Sequence, residues 1–310
     1  MKPVVLMLNP MGEAYRAQIE KHYEVIHAPT DETRAGQIAE RGADVQVVLT
    51  IGTIGLKAAE MDAMPRLALV CTLGVGYERV DTDHARARGI ALANGAGTNA
   101  DVVADQAFAL LLATVRKVPV NDRAARNGFS RDVLPMLPQV AYKRIGIMGL
   151  GAIGTKIAQR AVGFDMEVGY HTRKQRSESP HRYFPSMAEM AEWCDILVVA
   201  APGGAATHHA VNADILKAIG AHGYLVNISR GSVVDTEALA AAIKAGAIAG
   251  AGLDVYESEP EPPLPLVDLE QVVLSPHIGG RSPQAVQNTV DRFLANADGH
   301  FSGRGLVSPI

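Results

Sequence analysis

Residues Ile147–Arg176 read "IMGLGAIGTKIAQRAVGFDMEVGYHTRKQR", a strand, a glycine-rich turn, a helix and a second strand. Gly149, Gly151 and Gly154 have the spacing G-x-G-x-x-G at the point where the first strand passes into the helix. In such a turn the first glycine permits the tight bend, the second lets a ligand approach the backbone, and the third allows close packing of helix on strand. The pattern therefore predicts the opening unit of a parallel α/β domain that binds a dinucleotide.

The second strand of this unit, Met166–Tyr170, ends in cations and a hydroxyl. An NAD site usually has Asp or Glu here, whose carboxylate accepts a hydrogen bond from the ribose 2′-OH. This chain instead has His171, Thr172, Arg173 and Lys174, and a hydroxyl beside a guanidinium can bind a 2′-phosphate. The sequence therefore favours NADP(H). NAD(H) remains the alternative if these cations only form a solvated loop.

Apolar runs of strand length alternate with helical patterns in both halves of the chain. In the first half the runs are Val4–Leu8, Tyr23–His27, Val45–Ile51, Leu67–Leu73 and Ile90–Ala93. In the second half they are Ile145–Leu150, Met166–Tyr170, Ile196–Ala201, Tyr224–Ile228, Ala249–Val255 and Val272–Leu274. Continuous apolar strands that alternate with helices predict parallel sheets covered on both faces, and the second half predicts six such strands.

We expect two domains, one of residues 1–94 with about 285–310 and one of residues 95–284. A single long helix is predicted from Asn99 to about Arg126. It is apolar around most of its circumference, so it must be buried in its own domain or against a partner subunit. The chain ends in a predicted amphipathic helix from Pro283 to about Phe301, with Ser282 as its N-cap.

The composition is that of an ordinary soluble protein. The chain has 310 residues, of which 48% are hydrophobic and 20% charged, and its net charge of −4 implies no nucleic-acid partner. Its apolar runs are shorter than the roughly 20 residues that span a membrane. Cys71 and Cys194 are expected to be reduced core residues of a cytoplasmic protein. The adjacent His208 and His209 are expected to point apart into solvent, so no metal site is predicted.

Three further motifs follow predicted strands of the second half, where open α/β sheets bind ligands. They are "NISRGSVVD" (Asn227–Asp235), "GLDVYESEP" (Gly252–Pro260) and "SPHIGG" (Ser275–Gly280). With "GLGAIG" (Gly149–Gly154), their order and spacing resemble those of the D-2-hydroxyacid dehydrogenases over essentially the whole chain. The resemblance implies two doubly wound parallel-sheet domains, a flavodoxin-like substrate domain and a Rossmann cofactor domain, with the active site in the cleft between them.

The chemistry of 2-keto acid reduction fits three residues in these motifs. Arg230 can supply a planar cation for the carboxylate and carbonyl of the substrate. His277 can donate the proton in reduction and accept it in oxidation. Glu259 can hold His277 in one tautomer and favour its protonated form. The resemblance implies the same roles. Glu257 competes for the last one, but Glu259 directly precedes Pro260, as the acid of the family usually does.

The resemblance also implies secondary contacts. Asp254 would meet the nicotinamide carboxamide, and the backbone N–H groups of Val75 and Gly76 would bind the substrate carboxylate. The further cofactor contacts that it implies are Ala152 and Ile153 at the pyrophosphate, Pro202 and Thr207 near the adenine, Ile228 and Ser229 near the nicotinamide, and Gly279, with Thr98 as an additional candidate. The chain departs from the family's pattern after His277, where Gly279-Gly280-Arg281 replaces a frequent Ser-Ala-Thr. Arg281 would add a cation at the mouth of the substrate site or face solvent.

The expected function is NADPH-dependent reduction of a small 2-keto acid to the D-2-hydroxy acid by a homodimer. The basic end of the second strand resembles NADPH-linked glyoxylate/hydroxypyruvate and hydroxyphenylpyruvate reductases. One alternative is an NAD-linked enzyme of the same class. The other is a non-catalytic, dinucleotide-sensing protein of the corepressor type, which would not need Arg230, Glu259 and His277.

Overall fold

The computed structural model describes residues 2–128, 132 and 134–310, which form two compact units. The first unit, called here the outer unit, comprises the residues up to Asn99 together with Arg281–Ile310. The second, the inserted unit, comprises Ala100–Gly280. The chain therefore begins one unit, completes the other, and returns to the first.

The secondary structure alternates as the hydrophobic pattern predicts. The strands are β1 (Val4–Met7), β2 (Glu24–His27), β3 (Val45–Thr50), β4 (Leu69–Thr72), β5 (Ala91–Asn94), β6 (Arg144–Met148), β7 (Glu167–His171), β8 (Arg182–Tyr183), β9 (Ile196–Val199), β10 (Tyr224–Asn227), β11 (Gly250–Leu253) and β12 (Val272–Leu274). The helices are α1 (Glu13–Glu20), α2 (Asp31–Arg41), α3 (Ala58–Asp62), α4 (Thr82–Ala87), α5 (Ala100–Val115), α6 (Val118–Arg126), α7 (Ala152–Val162), α8 (Met187–Trp193), α9 (Ala213–Ile219), α10 (Thr236–Lys244) and α11 (Pro283–Phe301). Short 3₁₀ turns lie at Gly42–Asp44, Ala205–Thr207 and Gly231–Val233.

The outer unit is built on a five-stranded parallel sheet in the order β2-β1-β3-β4-β5. This is the flavodoxin-like order 2-1-3-4-5. Separate clusters of buried apolar residues cover its two faces. One cluster takes Val290, Phe293 and Ala297 from α11, which Ser282 caps by accepting the Ala285 N–H at 3.0 Å. The predicted helix and its cap are confirmed.

The chain beyond α11 returns to the edge of this sheet. Pro309 forms an antiparallel bridge with Ala93 of β5, and the Ile310 N–H donates to the Leu92 carbonyl at 3.1 Å. These contacts extend the hydrogen bonding of β5 on its outer side. The last residues of the sequence are thus part of the outer unit's sheet.

The inserted unit has a seven-stranded parallel sheet in the order β12-β11-β10-β9-β6-β7-β8. Six of these strands have the Rossmann order 3-2-1-4-5-6, and β12 extends the sheet beyond β11. Apolar clusters cover both faces, so both domains are doubly wound, as predicted. The expectation of six strands is wrong by one, because β8 has only two residues and leaves no apolar run in the sequence.

The single long helix predicted from Asn99 to Arg126 is also wrong, because the structure breaks it into α5 and α6. Pro119 lacks an N–H for the carbonyl of Val115, and its ring would clash with that carbonyl in a continuous helix. Lys117 takes a left-handed φ of 48° between the two helices, and Pro119 lies in the first turn of the second. Much of α5 is buried in the inserted unit's own core, including Val103, Ala107 and Leu111.

Candidate active site

The predicted residues of the inserted unit follow the carboxyl ends of its parallel strands. The glycine turn follows β6, and Arg230 follows β10. Asp254 follows β11 directly, and His277 comes shortly after β12. Because the strands are parallel, these segments all leave the same edge of the sheet, where open α/β sheets bind ligands.

The glycine turn has the geometry that a pyrophosphate site requires. Gly149 has a φ of 98°, which favours glycine, and a Cβ on Gly154 would lie 2.0 Å from the Gly149 carbonyl oxygen. A Cβ on Gly151 would meet no atom within 4 Å, so the backbone there faces open space. Ala152 and Ile153 form the first turn of α7, where N–H groups have no acceptor within the helix. The turn therefore fits a bound pyrophosphate.

At the end of β7, two cations are available to an anion, whereas His171 Nδ1 and the Thr172 hydroxyl already donate to carbonyls of the chain. His171 Nδ1 donates to the Phe184 carbonyl at 2.9 Å, and Thr172 Oγ1 donates to the Lys174 carbonyl at 2.7 Å. Arg173 and Lys174 are exposed, and neither forms an ion pair with any residue that the structure describes. Their charges are not neutralised within the described chain.

Glu259 and His277 form a hydrogen-bonded pair. His277 Nδ1 donates to Glu259 Oε2 at 2.7 Å, and Glu259 Oε1 accepts the Tyr256 N–H at 2.8 Å. The hydrogen bond to Glu259 raises the pKa of His277, although partial burial opposes the rise. Burial alone would raise the pKa of Glu259, but the hydrogen bonds from His277 and Tyr256 hold that pKa below its usual value. The arrangement favours a carboxylate beside an imidazolium, with Nε2 left for a ligand.

The competing acid, Glu257, has different partners. Its Oε1 accepts from His209 Nε2 at 2.7 Å, and its Oε2 accepts the Thr236 N–H at 3.0 Å. Burial would raise the pKa of Glu257, but these hydrogen bonds lower it overall. Both carboxylate oxygens of Glu257 thus accept hydrogen bonds, one from the start of α10 and one from His209.

The expectation that His208 and His209 point apart is wrong. Their ring centroids are 4.0 Å apart and their planes differ by only 27°, because His209 takes a left-handed φ of 49°. With Glu257 they offer ligand atoms within 4.8 Å of one another. An imidazole binds a metal in its own ring plane, and two nearly parallel stacked rings direct their lone pairs side by side.

Arg230 lies in the turn after β10, and the side chain of the buried Asn227 stabilises that turn. Asn227 Nδ2 donates to the Arg230 carbonyl at 3.0 Å, and Asn227 Oδ1 accepts the Ser229 N–H at 3.1 Å. The Arg230 side chain donates from Nη1 to the Ser229 carbonyl at 2.8 Å, and Ser229 Oγ donates to the Ala201 carbonyl. Sequence reasoning missed Asn227, although an amide side chain at the end of an apolar strand signals a buried polar contact.

Asp254 is fully buried and fastens the loop that carries His277. Its Oδ1 accepts from Ser275 Oγ at 2.6 Å and from the Ile278 N–H at 3.1 Å, while its Oδ2 accepts the Gly279 N–H at 2.8 Å. The Asp254 carbonyl also accepts the His277 N–H at 2.8 Å. Asp254, which is expected to bind the nicotinamide, therefore also holds the backbone of the loop that carries His277.

The remaining predicted residues are divided between the two units. Thr207 Oγ1 closes the turn after β9 by donating to the Pro202 carbonyl at 2.8 Å, and Ile228 is buried at the end of β10. Thr98 and Arg281 belong to the outer unit. Thr98 is buried and donates to the Gly95 carbonyl at 2.7 Å, whereas Arg281 is exposed.

Val75 and Gly76 also belong to the outer unit, in the loop after β4. Val75 is 40% exposed. The carbonyl of Gly74 accepts the Gly95 N–H at 2.9 Å, and that of Val75 accepts from Asn94 Nδ2 at 2.9 Å. The end of β5 therefore supports this loop.

Among the described residues, none of the helices combines the length and the apolarity that crossing a bilayer requires.

Comparisons with known proteins agree with this geometry. Residues 108–279 match the family model described as D-isomer specific 2-hydroxyacid dehydrogenase, NAD binding domain. The chain is 34% identical to hydroxyphenylpyruvate reductase of Plectranthus scutellarioides, over 99% of this chain and 98% of that protein. It is 33% identical to glyoxylate/hydroxypyruvate reductase A HPR2 of Arabidopsis thaliana over the same shares. An NADPH-dependent glyoxylate/hydroxypyruvate reductase from Sinorhizobium meliloti, solved with NADP and malonate, superimposes with a TM-score of 0.90 at 35% identity, over 100% of this chain and 97% of that one.

Proposed function

Because this chain belongs to the D-isomer-specific 2-hydroxyacid dehydrogenase family, a family of oxidoreductases, we propose that it reduces a small 2-keto acid with NADPH. The substrate would be of the glyoxylate/hydroxypyruvate type and the product the D-2-hydroxy acid. The observation that carries the proposal is the 2.7 Å hydrogen bond between Glu259 and His277 on the ligand-binding edge of a Rossmann sheet. A corepressor-type binding protein would have no need of this pair.

In the proposed reaction Arg230 attracts the carboxylate and polarises the carbonyl of the keto acid. The backbone N–H groups of Val75 and Gly76 bind the same carboxylate. The nicotinamide cofactor, when bound, supplies the hydride to the carbonyl carbon. His277 then gives its Nε2 proton to the developing alkoxide. It keeps its Nδ1 proton, which stays hydrogen-bonded to Glu259. In the reverse direction the neutral ring takes the proton back.

The proposed preference for NADPH rests on the end of β7. Arg173 and Lys174 are two exposed cations that pair with no acid among the described residues, and they suit a 2′-phosphate. The Thr172 hydroxyl would donate to that phosphate in place of the Lys174 carbonyl. The NADP complex of the Sinorhizobium meliloti reductase supports the same choice. Among the described residues Asp254 Oδ2 accepts one hydrogen bond, from the Gly279 N–H, which leaves an acceptor site for the nicotinamide carboxamide.

We also propose a cytoplasmic homodimer. Cys71 and Cys194 are both buried and free, and burial raises the pKa of Cys194 to about 12, so these thiols are inert core groups that suit a reducing compartment. The proposal of a dimer rests on the family resemblance alone. The apolar helix α5 does not support it, because much of that helix is buried in the inserted unit's own core. Sedimentation measurements would decide it.

The test of the function is turnover by a His277 variant. Wild-type protein is expected to consume NADPH with glyoxylate or hydroxypyruvate. His277→Ala should lower kcat by about 10²- to 10⁴-fold, the usual contribution of a general acid, while NADPH fluorescence still reports binding. His222→Ala is the matched control, because this exposed histidine precedes β10 at the opposite end of the strand. Full activity in His277→Ala would overturn the mechanism. A wild type that binds NADPH but reduces no 2-keto acid would favour the binding-protein alternative.

A further inference from the structure

The loop after β4 is held from behind by the end of β5. The Gly74 carbonyl accepts two hydrogen bonds, from the Gly95 N–H at 2.9 Å and from Thr72 Oγ1 at 3.1 Å. The next carbonyl, that of Val75, accepts from the side-chain amide of Asn94 at 2.9 Å. Two consecutive carbonyls of the loop are therefore directed toward the body of the outer unit.

This anchoring determines where the neighbouring N–H groups point. In a planar trans peptide the carbonyl of one residue and the N–H of the next lie on opposite sides of the chain. Holding the carbonyls of Gly74 and Val75 inward therefore directs the N–H groups of Val75 and Gly76 outward. Within the described part of the chain neither N–H has a hydrogen-bond acceptor. Two neighbouring N–H groups that both point outward can donate to the same anion.

Asn94 is itself held by the segment that follows α11. Its N–H donates to the Ser308 carbonyl at 3.1 Å, and its carbonyl accepts from Ser308 Oγ at 2.5 Å. Ser308 Oγ in turn accepts from Asn296 Nδ2 at 3.0 Å, while Asn296 Oδ1 accepts the Ser308 N–H at 3.0 Å. Asn94, Ser308 and Asn296 are all buried, with exposed fractions of 5%, 9% and 1%. A continuous hydrogen-bond chain thus runs from α11 through Ser308 and Asn94 to Val75.

We propose that Asn94 is a positioning residue for the substrate carboxylate, and that Ser308 and Asn296 hold Asn94 in place. The inference rests on the proposed function, in which the Val75 and Gly76 N–H groups bind that carboxylate. The segment after α11 thereby sets substrate affinity without touching the substrate. The hydrogen-bond chain preorganises the carboxylate site, because the N–H groups of Val75 and Gly76 already point outward before the anion binds.

The test compares two variants at Asn94 with one at Ser308. Asn94→Asp keeps the shape of the side chain but replaces the donor to the Val75 carbonyl with an acceptor, and Asn94→Ala removes it. Both should raise KM for glyoxylate or hydroxypyruvate by about tenfold or more with little change in kcat, as expected for lost binding that ground and transition states share. Ser308→Ala should act in the same direction but less strongly. The Kd of NADPH should not change, and the Kd of oxamate, a non-reacting carboxylate, should rise with KM.

Ser282→Ala is the control for general destabilisation of the outer unit, because it uncaps α11 and does not contact the loop. It should lower Tm and leave KM unchanged. The inference is wrong if the Asn94 variants keep wild-type KM and oxamate affinity, or if Ser282→Ala raises KM equally. Where Asn94→Asp fails to fold, Asn94→Ala and Ser308→Ala decide. If the wild type reduces no keto acid, the proposed function fails. Normal wild-type turnover with unchanged KM in the variants rejects only the role of Asn94.

Discussion

His277 occupies a backbone conformation that few residues other than glycine adopt, with a φ of 54°. Such a conformation persists only where several contacts enforce it. Here the His277 N–H donates to the Asp254 carbonyl, and the next two N–H groups, those of Ile278 and Gly279, donate to the Asp254 carboxylate. The loop therefore delivers the imidazole to Glu259 with little freedom.

The pH profile should report this hydrogen bond. Reduction needs protonated His277, whose raised pKa keeps it protonated to higher pH than an ordinary histidine, so kcat/KM for reduction should fall as pH rises through that raised value. Glu259→Gln removes the negative charge and lowers the pKa of His277. The alkaline limb for reduction and the acid limb for oxidation should then both move to lower pH.

Glu257→Gln provides the matched control for that experiment, since Glu257 contacts His209 rather than His277. Its pH–rate profiles should keep the wild-type midpoints. Unchanged midpoints in Glu259→Gln would show that the carboxylate does not tune the imidazole.

Arg173 should contribute to the choice of cofactor. A charge-assisted hydrogen bond to a phosphate is worth about 1.5–3 kcal/mol, so Arg173→Ala should lower kcat/KM for NADPH by about 10- to 150-fold. The value for NADH, which has no 2′-phosphate, should change little. Steady-state kinetics with both cofactors measure the difference.

Arg176→Ala removes a cation from the same loop, but one already paired with Glu178 at 3.6 Å, and it should have a smaller effect. A wild-type protein that prefers NADH would contradict the proposed cofactor.

At the scale of elements, the sequence predicts those whose signals are local. Helix α11 begins at Pro283 as expected, because its cap and its first-turn proline are adjacent in sequence. The break between α5 and α6 was also signalled, by Pro119, but the continuous apolar pattern around it favoured one helix. Strand β8 is too short for any periodicity, so its two residues become a strand only by pairing with β7.

The supporting contacts of the candidate site could not be predicted in the same way. Motif spacing identifies Glu259 and His277, which are only 18 residues apart. Asn94 and Ser308 are 214 residues apart, and no local pattern links an asparagine at a strand end to a serine near the end of the chain. Such pairs arise only when the sheet and the last helix are packed together.

The cap of α11 offers a test at this scale. Ser282→Ala removes the hydroxyl that accepts the Ala285 N–H, and lost N-caps cost about 0.5–2 kcal/mol. The free energy of unfolding in urea should fall by that amount. Ser302→Ala, beyond the other end of the helix, should cost less because its hydroxyl satisfies no N–H group at the start of a helix: it donates to the Gly299 carbonyl at 3.5 Å and accepts from the exposed Arg304 Nε at 2.9 Å. Equal losses in the two variants would contradict a specific capping role.

At the scale of the whole molecule, the outer unit is assembled from two distant parts of the chain. Val290 and Phe293 of α11 complete a cluster that otherwise comes from the first 99 residues, including Val5, Met7 and Val47. The inserted unit, by contrast, is continuous in sequence from Ala100 to Gly280. Completing the outer unit therefore requires closing the chain across the whole inserted unit, although the entropy of closure grows only slowly with length.

Because the outer unit comes from two separate parts of the chain, it cannot be completed until translation is almost finished. Ribosomes add about 5–20 residues per second, so the whole of Ala100–Gly280 emerges over roughly ten seconds or more before α11 is made. At the end of that interval the inserted unit has all its own strands, while the first sheet to be translated still lacks the helix that covers one of its faces. The order of translation is thus the reverse of the order of completion. Until α11 leaves the exit tunnel, the nascent outer unit exposes the apolar surface that Val290, Phe293 and Ala297 later cover.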